Sequence, residues 1–224
     1  MWFVGPVRRV PEAGRLGALR LGFDLKAGMR VGLYGGSFDP AHEGHAHVAR
    51  TALTRLGLDR VIWLASARNP LKQRDGSKLA ERIAGAQALA RGPSMHVTDL
   101  ERRIGTRYTV DMLRVLRARF PGVRFVWIMG ADNLGDFHRW RGWPEIFRTV
   151  PIVVVARPGA GPRTGFAPAA RRFASARLPA GQASRLALRS PPAWVWLPAP
   201  LKSVSSTTLR ARRRSTYSAP DNTV

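Results

Sequence analysis

The sequence predicts an α/β fold built on a doubly wound, mostly parallel sheet. Six short runs rich in Val, Ile and Trp alternate along the chain with longer helical patterns. The runs are almost continuously apolar, which is typical of strands buried on both faces of a parallel sheet. The turns between strands and helices are short, as they are in successive βαβ units. Together these three observations favour the α/β class.

The predicted elements follow from the apolar runs and from the residues that end helices. The six strands are expected at 30–34, 61–65, 95–100, 123–129, 152–156 and 194–197. Three helices are expected between them, at 43–56, 78–91 and 109–119. Gly57 and Gly92 stand where the first two helices should end, since glycine readily adopts the left-handed conformation that closes a helix. Ser77 precedes the second helix as an N-cap, and Pro121 stops the third.

The same patterns divide the chain into one domain with two flanking segments. Residues 29–214 are predicted to form a single domain, because Met29 opens the first strand as a protein start would. Residues 1–28 are interpreted as an extension of uncertain order, and 215–224 as a disordered tail. Residues 157–193 are rich in Pro, Gly, Ala and Arg and have little periodicity. We expect a long excursion there, with one short helix.

Composition excludes several classes of function. The 224 residues include no cysteine, which excludes disulfides, thiolate metal sites and cysteine nucleophiles and fits a cytoplasmic location. No apolar run approaches the ~20 residues of a membrane span, so no membrane partner is expected. The formal charge of +23 suits nucleic acid, but the charge is dispersed, and only four of the 37 basic residues are lysines. We interpret the dispersed positive charge as a field that attracts anionic substrates.

The most informative segment directly follows the first predicted strand. It reads Gly35-Gly36-Ser37-Phe38-Asp39-Pro40-Ala41-His42-Glu43-Gly44-His45. Glycines at a strand end let the backbone come close to a phosphate, because no Cβ stands in the way. The i, i+3 spacing puts His42 and His45 on one face at a helix start, where unpaired N–H groups attract anions. The segment therefore predicts a polyphosphate site.

A second anion site is predicted after the last strand. Residues 203–210 place several hydroxyl side chains at a helix start and an arginine one turn later: Ser205, Ser206, Thr207 and Arg210. Hydroxyl and guanidinium donors in this arrangement suit phosphate oxygens. No cluster of His, Asp and Glu in the sequence suggests a dedicated metal cage.

The first segment resembles the GxFDPxHxGH signature of the nucleotidyltransferase superfamily related to class I aminoacyl-tRNA synthetases. The second is similar to that superfamily's I-S-S-T-x-x-R motif, with Val204 in place of Ile. The resemblance extends from about Met29 to Arg214 and implies a Rossmann-like nucleotidyltransferase fold.

Motifs between these two ends resemble one branch, the nicotinate-nucleotide adenylyltransferases. They are a G-x-D-x-L…F…W block from Gly130 to Trp140, an N-P-x-K loop at 69–72, a Y-T pair at 108–109 and an R-P-G triplet at 157–159. The branch implies transfer of AMP from ATP to nicotinate mononucleotide, which gives deamido-NAD and diphosphate in NAD biosynthesis.

Two alternatives stay open beside this interpretation. One is the same transfer to another acceptor, nicotinamide mononucleotide or phosphopantetheine. The more remote one is a basic nucleic-acid-binding protein on the same fold, against which the intact His42, His45 and Ser205 argue. The sequence gives no oligomeric state.

The resemblance also implies a role for individual residues. The implied catalytic residues are His42, His45, Lys72 and Arg210. The implied ATP-binding residues are Gly35, Gly36, Ser37, Phe38, His42, His45, Gly130, Asp132, Ser205, Ser206, Thr207 and Arg210. The implied nicotinate-nucleotide-binding residues are Ser37, Asn69, Lys72, Thr109, Trp140 and Arg141. Mg²⁺ is expected to arrive with ATP, because it binds mainly through phosphates and keeps its waters.

Overall fold

The computed structural model describes residues 22–66, 78–156 and 167–198 of the chain. They contain a seven-stranded, entirely parallel sheet with the strand order β3-β2-β1-β4-β5-β7-β6. The strands are β1 Arg30–Gly36, β2 Arg60–Ala65, β3 Met95–Thr98, β4 Arg124–Gly130, β5 Ile152–Val155, β6 Arg177–Leu178 and β7 Trp194–Leu197. The predicted α/β class and parallel sheet are confirmed.

Helices connect the strands on both faces of the sheet. They are α1 Glu43–Leu56, α2 Leu79–Leu89, α3 Leu100–Arg103, α4 Thr109–Arg119, α5 Ala131–Asp136, α6 Trp143–Thr149 and α7 Pro168–Arg172. Short 3₁₀ helices lie at Phe137–Arg139, Ala174–Ala176 and Ala180–Leu188. None of the described helices is long and apolar enough to cross a membrane.

The first and third predicted helices are confirmed at both ends. α1 ends at Gly57, whose φ of 60° is the left-handed conformation expected there. α4 spans the predicted residues and is followed by Phe120 as its C-cap. α2 is shorter than predicted, with Lys78 as N-cap and Ala90 as C-cap. Ser77 lies outside the described residues.

Three expectations about the elements are corrected. The third strand stops at Thr98 instead of residue 100, because Asp99 is the N-cap of α3 and its carboxylate pairs with Arg102 and Arg103. The helices α5 and α6 were not predicted, since each is too short to show a helical period. The sheet has a seventh strand, β6, of only two residues.

Residues 167–193 contain more regular structure than predicted. Here α7 and a nine-residue 3₁₀ helix bury small side chains, with Ala169 and Leu186 fully inaccessible to solvent. The ring of Phe173 stacks on that of Phe147, with centroids 4.2 Å apart. Alanine-rich helices have weak hydrophobic periodicity, which explains why these helices were not recognised from the pattern of apolar residues.

Residues 22–28 of the predicted N-terminal extension contact the sheet. The Phe23 ring stacks on the His96 ring in β3, with centroids 4.4 Å apart. The Gly28 backbone N–H donates to the Gly122 carbonyl at 2.8 Å. Phe23 and Leu25 are half-buried against the core. The predicted tail at 215–224 lies outside the described residues.

Two hydrophobic layers sandwich the sheet. One contains side chains of α1, α2 and the 3₁₀ helix Ala180–Leu188, and the other contains those of α3 to α7. β1 lies centrally between β2 and β4, and the chain winds outward from it in both directions. In sheets of this kind ligands bind at the carboxyl ends of the strands, where the winding reverses. In this sheet that position lies between the carboxyl ends of the two central strands β1 and β4, at Gly36 and Gly130; it is called the β1–β4 edge below.

Candidate active site

Two buried histidines cap the helix that follows β1. His42 is the N-cap of α1, and its Nδ1 accepts the Gly44 backbone N–H at 3.0 Å. In return, Nδ1 of His45 accepts the His42 backbone N–H at 3.2 Å, which completes a reciprocal capping box. The two side chains are only 5% and 8% exposed. The predicted pair therefore lies together at the helix N-terminus, as the spacing indicated.

The hydrogen bonds also determine the protonation pattern of the two rings. Each Nδ1 accepts a backbone N–H, so in the neutral imidazole the ring hydrogen lies on Nε2. Both Nε2 atoms are consequently hydrogen-bond donors. The His42 and His45 ring centroids lie 3.9 Å apart. This arrangement suits the oxygens of an anion.

Aromatic side chains surround the His45 ring. Phe38 meets it edge-on with centroids 5.2 Å apart, and Tyr34 lies 6.3 Å away. The Phe38 ring also packs against Trp63 at 5.1 Å, and Phe38 is 1% exposed. Close packing of this kind restricts the His45 ring to one orientation.

The two glycines at the end of β1 are required by aromatic packing. A Cβ on Gly36 would lie 2.8 Å from Cε1 of Phe38, and a Cβ on Gly35 would overlap the ring of Trp127. The sequence interpretation gave these glycines a different reason, namely room for a phosphate. In the structure an aromatic ring occupies the space beside each Cα.

Arg82 in α2 contacts the segment between β1 and α1, and the sequence analysis did not single it out. Its Nη1 donates to the Ser37 carbonyl at 2.6 Å, and the residue is 8% exposed. Burial lowers the pKa of the Arg82 guanidinium, while the Asp39 carboxylate acts in the opposite direction. Arg82 thereby joins α2 to the segment that leads into the histidines. In the sequence it appears as one more basic residue of an amphipathic helix.

A second group of predicted residues lies beyond the end of β4. Gly130 is buried at the strand end, and Asp132 is exposed in α5. Trp140 is half-buried and packs on Phe137, with ring centroids 5.1 Å apart, and edge-on against Trp127 at 6.2 Å. Two neighbouring rings thus hold the Trp140 indole in place.

Thr109 and Arg141 come close to each other through Tyr108. Thr109 is the first residue of α4, and Tyr108 is its N-cap. The Arg141 guanidinium lies 4.5 Å above the Tyr108 ring and 3.9 Å from the Asp111 carboxylate. Asp111 also pairs with Arg114 at 2.8 Å. These contacts join the start of α4 to the Trp140–Arg141 turn, as an acceptor pocket would require.

The two groups occupy opposite faces of the same carboxyl edge. The histidines belong to the α1 face, and Thr109, Trp140 and Arg141 belong to the α4 face. Six of the predicted site residues lie outside the described residues: Asn69, Lys72, Ser205, Ser206, Thr207 and Arg210.

Glu101 is a second residue that the sequence analysis did not single out. It lies in α3, which begins two residues after β3 ends, and it is 6% exposed. Burial raises the pKa of its carboxyl group to about 7. Its sequence context, between Leu100 and Arg102, has no feature that distinguishes a buried glutamate from an exposed one.

This arrangement can bind and polarise an anion but is poorly suited to nucleophilic attack by a side chain. The donors are the Nε2–H groups of His42 and His45, because the backbone N–H groups of His42 and Gly44 are bonded to the two Nδ1 atoms. Donors preorganised in this way stabilise charge that develops on oxygen in a transition state. The geometry therefore suits stabilisation of negative charge on the oxygens of a bound anionic group.

Comparison with known proteins agrees with this geometry. Residues 33–212 match the family described as Cytidylyltransferase-like. A probable nicotinate-nucleotide adenylyltransferase of Caulobacter sp. (strain K31) is 60% identical over 186 residues, which is 83% of this chain and 98% of that relative. One from Cereibacter sphaeroides (strain ATCC 17023) is 56% identical over 186 residues, with the same coverage.

Solved structures show the same fold. The Plasmodium falciparum nicotinic acid mononucleotide adenylyltransferase complexed with NaAD superposes with a TM-score of 0.60. It is 15% identical, and the match covers 82% of this chain and 83% of that one.

Proposed function

Because this chain belongs to the nicotinate-nucleotide adenylyltransferase family, we propose how its own residues transfer AMP from ATP to nicotinate mononucleotide. The activity is that of a nucleotidyltransferase in NAD biosynthesis, with nucleotides as substrates. The observation that supports the residue assignment is the pair of buried histidines capping α1 at the β1–β4 edge.

The reaction needs positioning more than acid–base chemistry. A phosphate oxygen of the mononucleotide attacks the α-phosphorus of ATP, forming one P–O bond while the bond to the departing diphosphate breaks. The attacking oxygen is already anionic, so no general base is needed. Catalysis then comes from in-line alignment and from neutralising the charge on the phosphate oxygens.

His42 and His45 supply that neutralisation on the α1 face. Both present Nε2–H donors because both Nδ1 atoms are engaged by the backbone. We assign His45 to the oxygens that gain charge in the transition state, since packing against Phe38 restricts its ring. We assign His42 to the neighbouring phosphate oxygens.

Other assignments come from the matched motifs. Lys72 and Arg210 would balance the charge of the departing diphosphate, and Ser205, Ser206 and Thr207 would hold the triphosphate. Ser37 and the backbone of Gly35 and Gly36 would line the nucleotide, as would Gly130 and Asp132.

The α4 face is the proposed acceptor site. The pyridine ring would lie against Trp140, whose opposite side packs on Phe137 and Trp127. Backbone N–H groups near Thr109 and Arg141 would face the carboxylate of nicotinate mononucleotide, with Asn69 beside it. Donors aimed at an anion form charge-assisted bonds, which favours an acid over an amide.

Mg²⁺ is proposed as an ion carried by ATP. The described residues contain no group of three or more His, Asp or Glu side chains able to hold a metal. An ion bound through phosphates needs no such group, because Mg²⁺ retains several water ligands. When bound, it would screen the negative charge of the triphosphate.

Diphosphate release is the assay that tests the proposal. The full chain is incubated with ATP, Mg²⁺ and one acceptor at a time: nicotinate mononucleotide, nicotinamide mononucleotide or phosphopantetheine. We expect the first to support the fastest release, with deamido-NAD as product. Faster release with phosphopantetheine would contradict the acceptor assignment.

A cytoplasmic location stays a prediction from the sequence.

A further inference from the structure

We propose that Arg82 is a positioning residue for adenylyl transfer, and that it acts on His45 through the backbone and ring of Phe38. The inference rests on the proposed function, because it concerns the same site. It assigns a mechanistic role to a buried side chain outside the matched motifs, 37 residues beyond His45 in the sequence.

The first step is the hydrogen bonding where β1 ends. The parallel ladder between β1 and β2 runs as far as Gly36 and Ala65. The Ser66 backbone N–H then donates to the Gly36 carbonyl at 3.0 Å. At the next residue, Ser37, the carbonyl accepts Nη1 of Arg82 at 2.6 Å. The guanidinium thus supplies a donor to the β1 chain just beyond the end of the ladder, where a buried carbonyl needs a partner.

The second step is the peptide between Ser37 and Phe38. Phe38 has φ of 47°, a left-handed conformation that is a strained outlier for a bulky residue. Such a conformation persists only where the surrounding structure determines it. The Ser37 carbonyl belongs to the peptide plane whose rotation defines the Phe38 φ angle. By holding this carbonyl, Arg82 stabilises the left-handed turn.

The third step is the contact from Phe38 to the histidine. The left-handed turn directs the Phe38 ring back over Gly36, where only glycine leaves space for it. From there the ring meets His45 edge-on at 5.2 Å and Tyr34 at 5.6 Å. A change in the Phe38 backbone would move this ring and release the His45 imidazole.

The chemistry of arginine suits this role. Its planar guanidinium can donate to a carbonyl while its charge remains attracted to the Asp39 carboxylate. Lysine would retain the charge but not the planar fork of donors. Methionine would retain the apolar stem and lose both.

The test compares Arg82→Met and Arg82→Lys with a matched control, Arg91→Met, in the full chain. Arg91 is an exposed arginine just after the same helix. We expect Arg82→Met to lower kcat by about 10²-fold, since a misplacement of about 1 Å can have that effect. KM for both nucleotides should stay within a few-fold. Arg82→Lys should recover part of kcat, and Arg91→Met should match wild type.

A double-mutant cycle with Phe38→Leu tests the path. If Arg82 acts through Phe38, the two substitutions should not have additive effects. The kcat of the double variant should then lie within about three-fold of the kcat of the slower single variant. Multiplying effects would overturn the proposal. So would a large rise in KM for ATP at unchanged kcat, because Arg82 would then bind substrate. If Arg82→Met does not fold, the Arg82→Lys variant and its double-mutant cycle with Phe38→Leu test the proposal instead.

Each kcat and KM is expressed as a ratio to the wild-type value, measured with the acceptor that the wild-type protein uses. An error in the acceptor assignment would therefore show in the wild-type protein alone and would not change these ratios.

Discussion

The backbone N–H of His42 donates to Nδ1 of His45 across 3.2 Å, and the two ring centroids lie 3.9 Å apart. The same hydrogen bond completes the cap of α1 and determines the hydrogen position on the His45 ring. Under the proposed assignment, the same two side chains cap the helix and contribute to catalysis, and substitutions at the two positions should separate these roles.

His45→Ala should lower kcat far more than it raises KM. The ring is assigned to charge that develops only in the transition state, and loss of one such donor typically lowers kcat about 10²–10³-fold. Steady-state kinetics with both substrates varied measures this. His47→Ala is the control, since a residue two positions along the helix does not share the His45 face. A kcat within a few-fold of wild type for His45→Ala would contradict the assigned role.

His42 should tolerate asparagine structurally but not catalytically. Asparagine is a strong N-cap residue, so His42→Asn should keep most of the cap, whereas His42→Ala should lower the unfolding free energy by about 1 kcal/mol. Neither variant retains the Nε2 donor, and both should lose kcat. Denaturant unfolding and kinetics on the same samples check this. If His42→Asn kept wild-type kcat, the ring would have a capping role only.

Much of the fold could be predicted because its elements are long and regularly punctuated. α1 has a buried face and a glycine at its C-terminus, and both signals are local in sequence. α5 and β6 have six and two residues, too few to show a period. Such short elements depend on tertiary packing, which a single sequence does not display.

The histidine pair was predictable for the same reason, since its spacing and flanking residues lie within one segment. Arg82 was not, because its partner Ser37 is 45 residues away. The packing of Trp127 beside Gly35 was not predictable either, because the two residues lie in different strands, β4 and β1. Contacts distant in sequence are what the sequence analysis lacked.

Ionisation of Glu101 should lower the free energy of unfolding as the pH rises. Burial raises the pKa of its carboxyl group from 4.5 to about 7, so the folded protein holds a proton that the unfolded chain loses. This residue therefore lowers the unfolding free energy progressively between pH 4.5 and 7. A shift of this size corresponds to about 3 kcal/mol.

The measurement is denaturant unfolding of wild type and Glu101→Gln at pH 5 and pH 8. Glutamine cannot ionise, so its unfolding free energy does not contain this loss. Relative to wild type, the unfolding free energy of Glu101→Gln should rise by up to about 3 kcal/mol from pH 5 to pH 8. The exposed Glu81→Gln serves as control and should show no such gain. Parallel behaviour of wild type and Glu101→Gln would show that the buried carboxyl does not titrate in this range.

Residues 22–28 should contribute to stability but not to chemistry. Phe23 is half-buried on His96 and Gly28 bonds to Gly122, both remote from the carboxyl edge. A chain beginning at Met29 should melt earlier than one beginning at Gly22 and keep its kcat/KM. Thermal melts and kinetics at a temperature well below melting distinguish the two effects. A loss of kcat/KM in the chain that begins at Met29 would show that residues 22–28 contribute to catalysis as well as to stability.

The choice between an acid and an amide acceptor tests the central claim most directly. The proposed backbone donors near Thr109 and Arg141 would suit a carboxylate, whereas an amide NH₂ facing them would leave donors unsatisfied. A mismatch of ~1–3 kcal/mol per unsatisfied group corresponds to roughly 10–100-fold in kcat/KM. The measurement is kcat/KM for nicotinate mononucleotide and for nicotinamide mononucleotide at identical ATP, Mg²⁺ and salt. We predict a preference for the acid of at least about ten-fold; equal values, or a preference for the amide, would contradict the account.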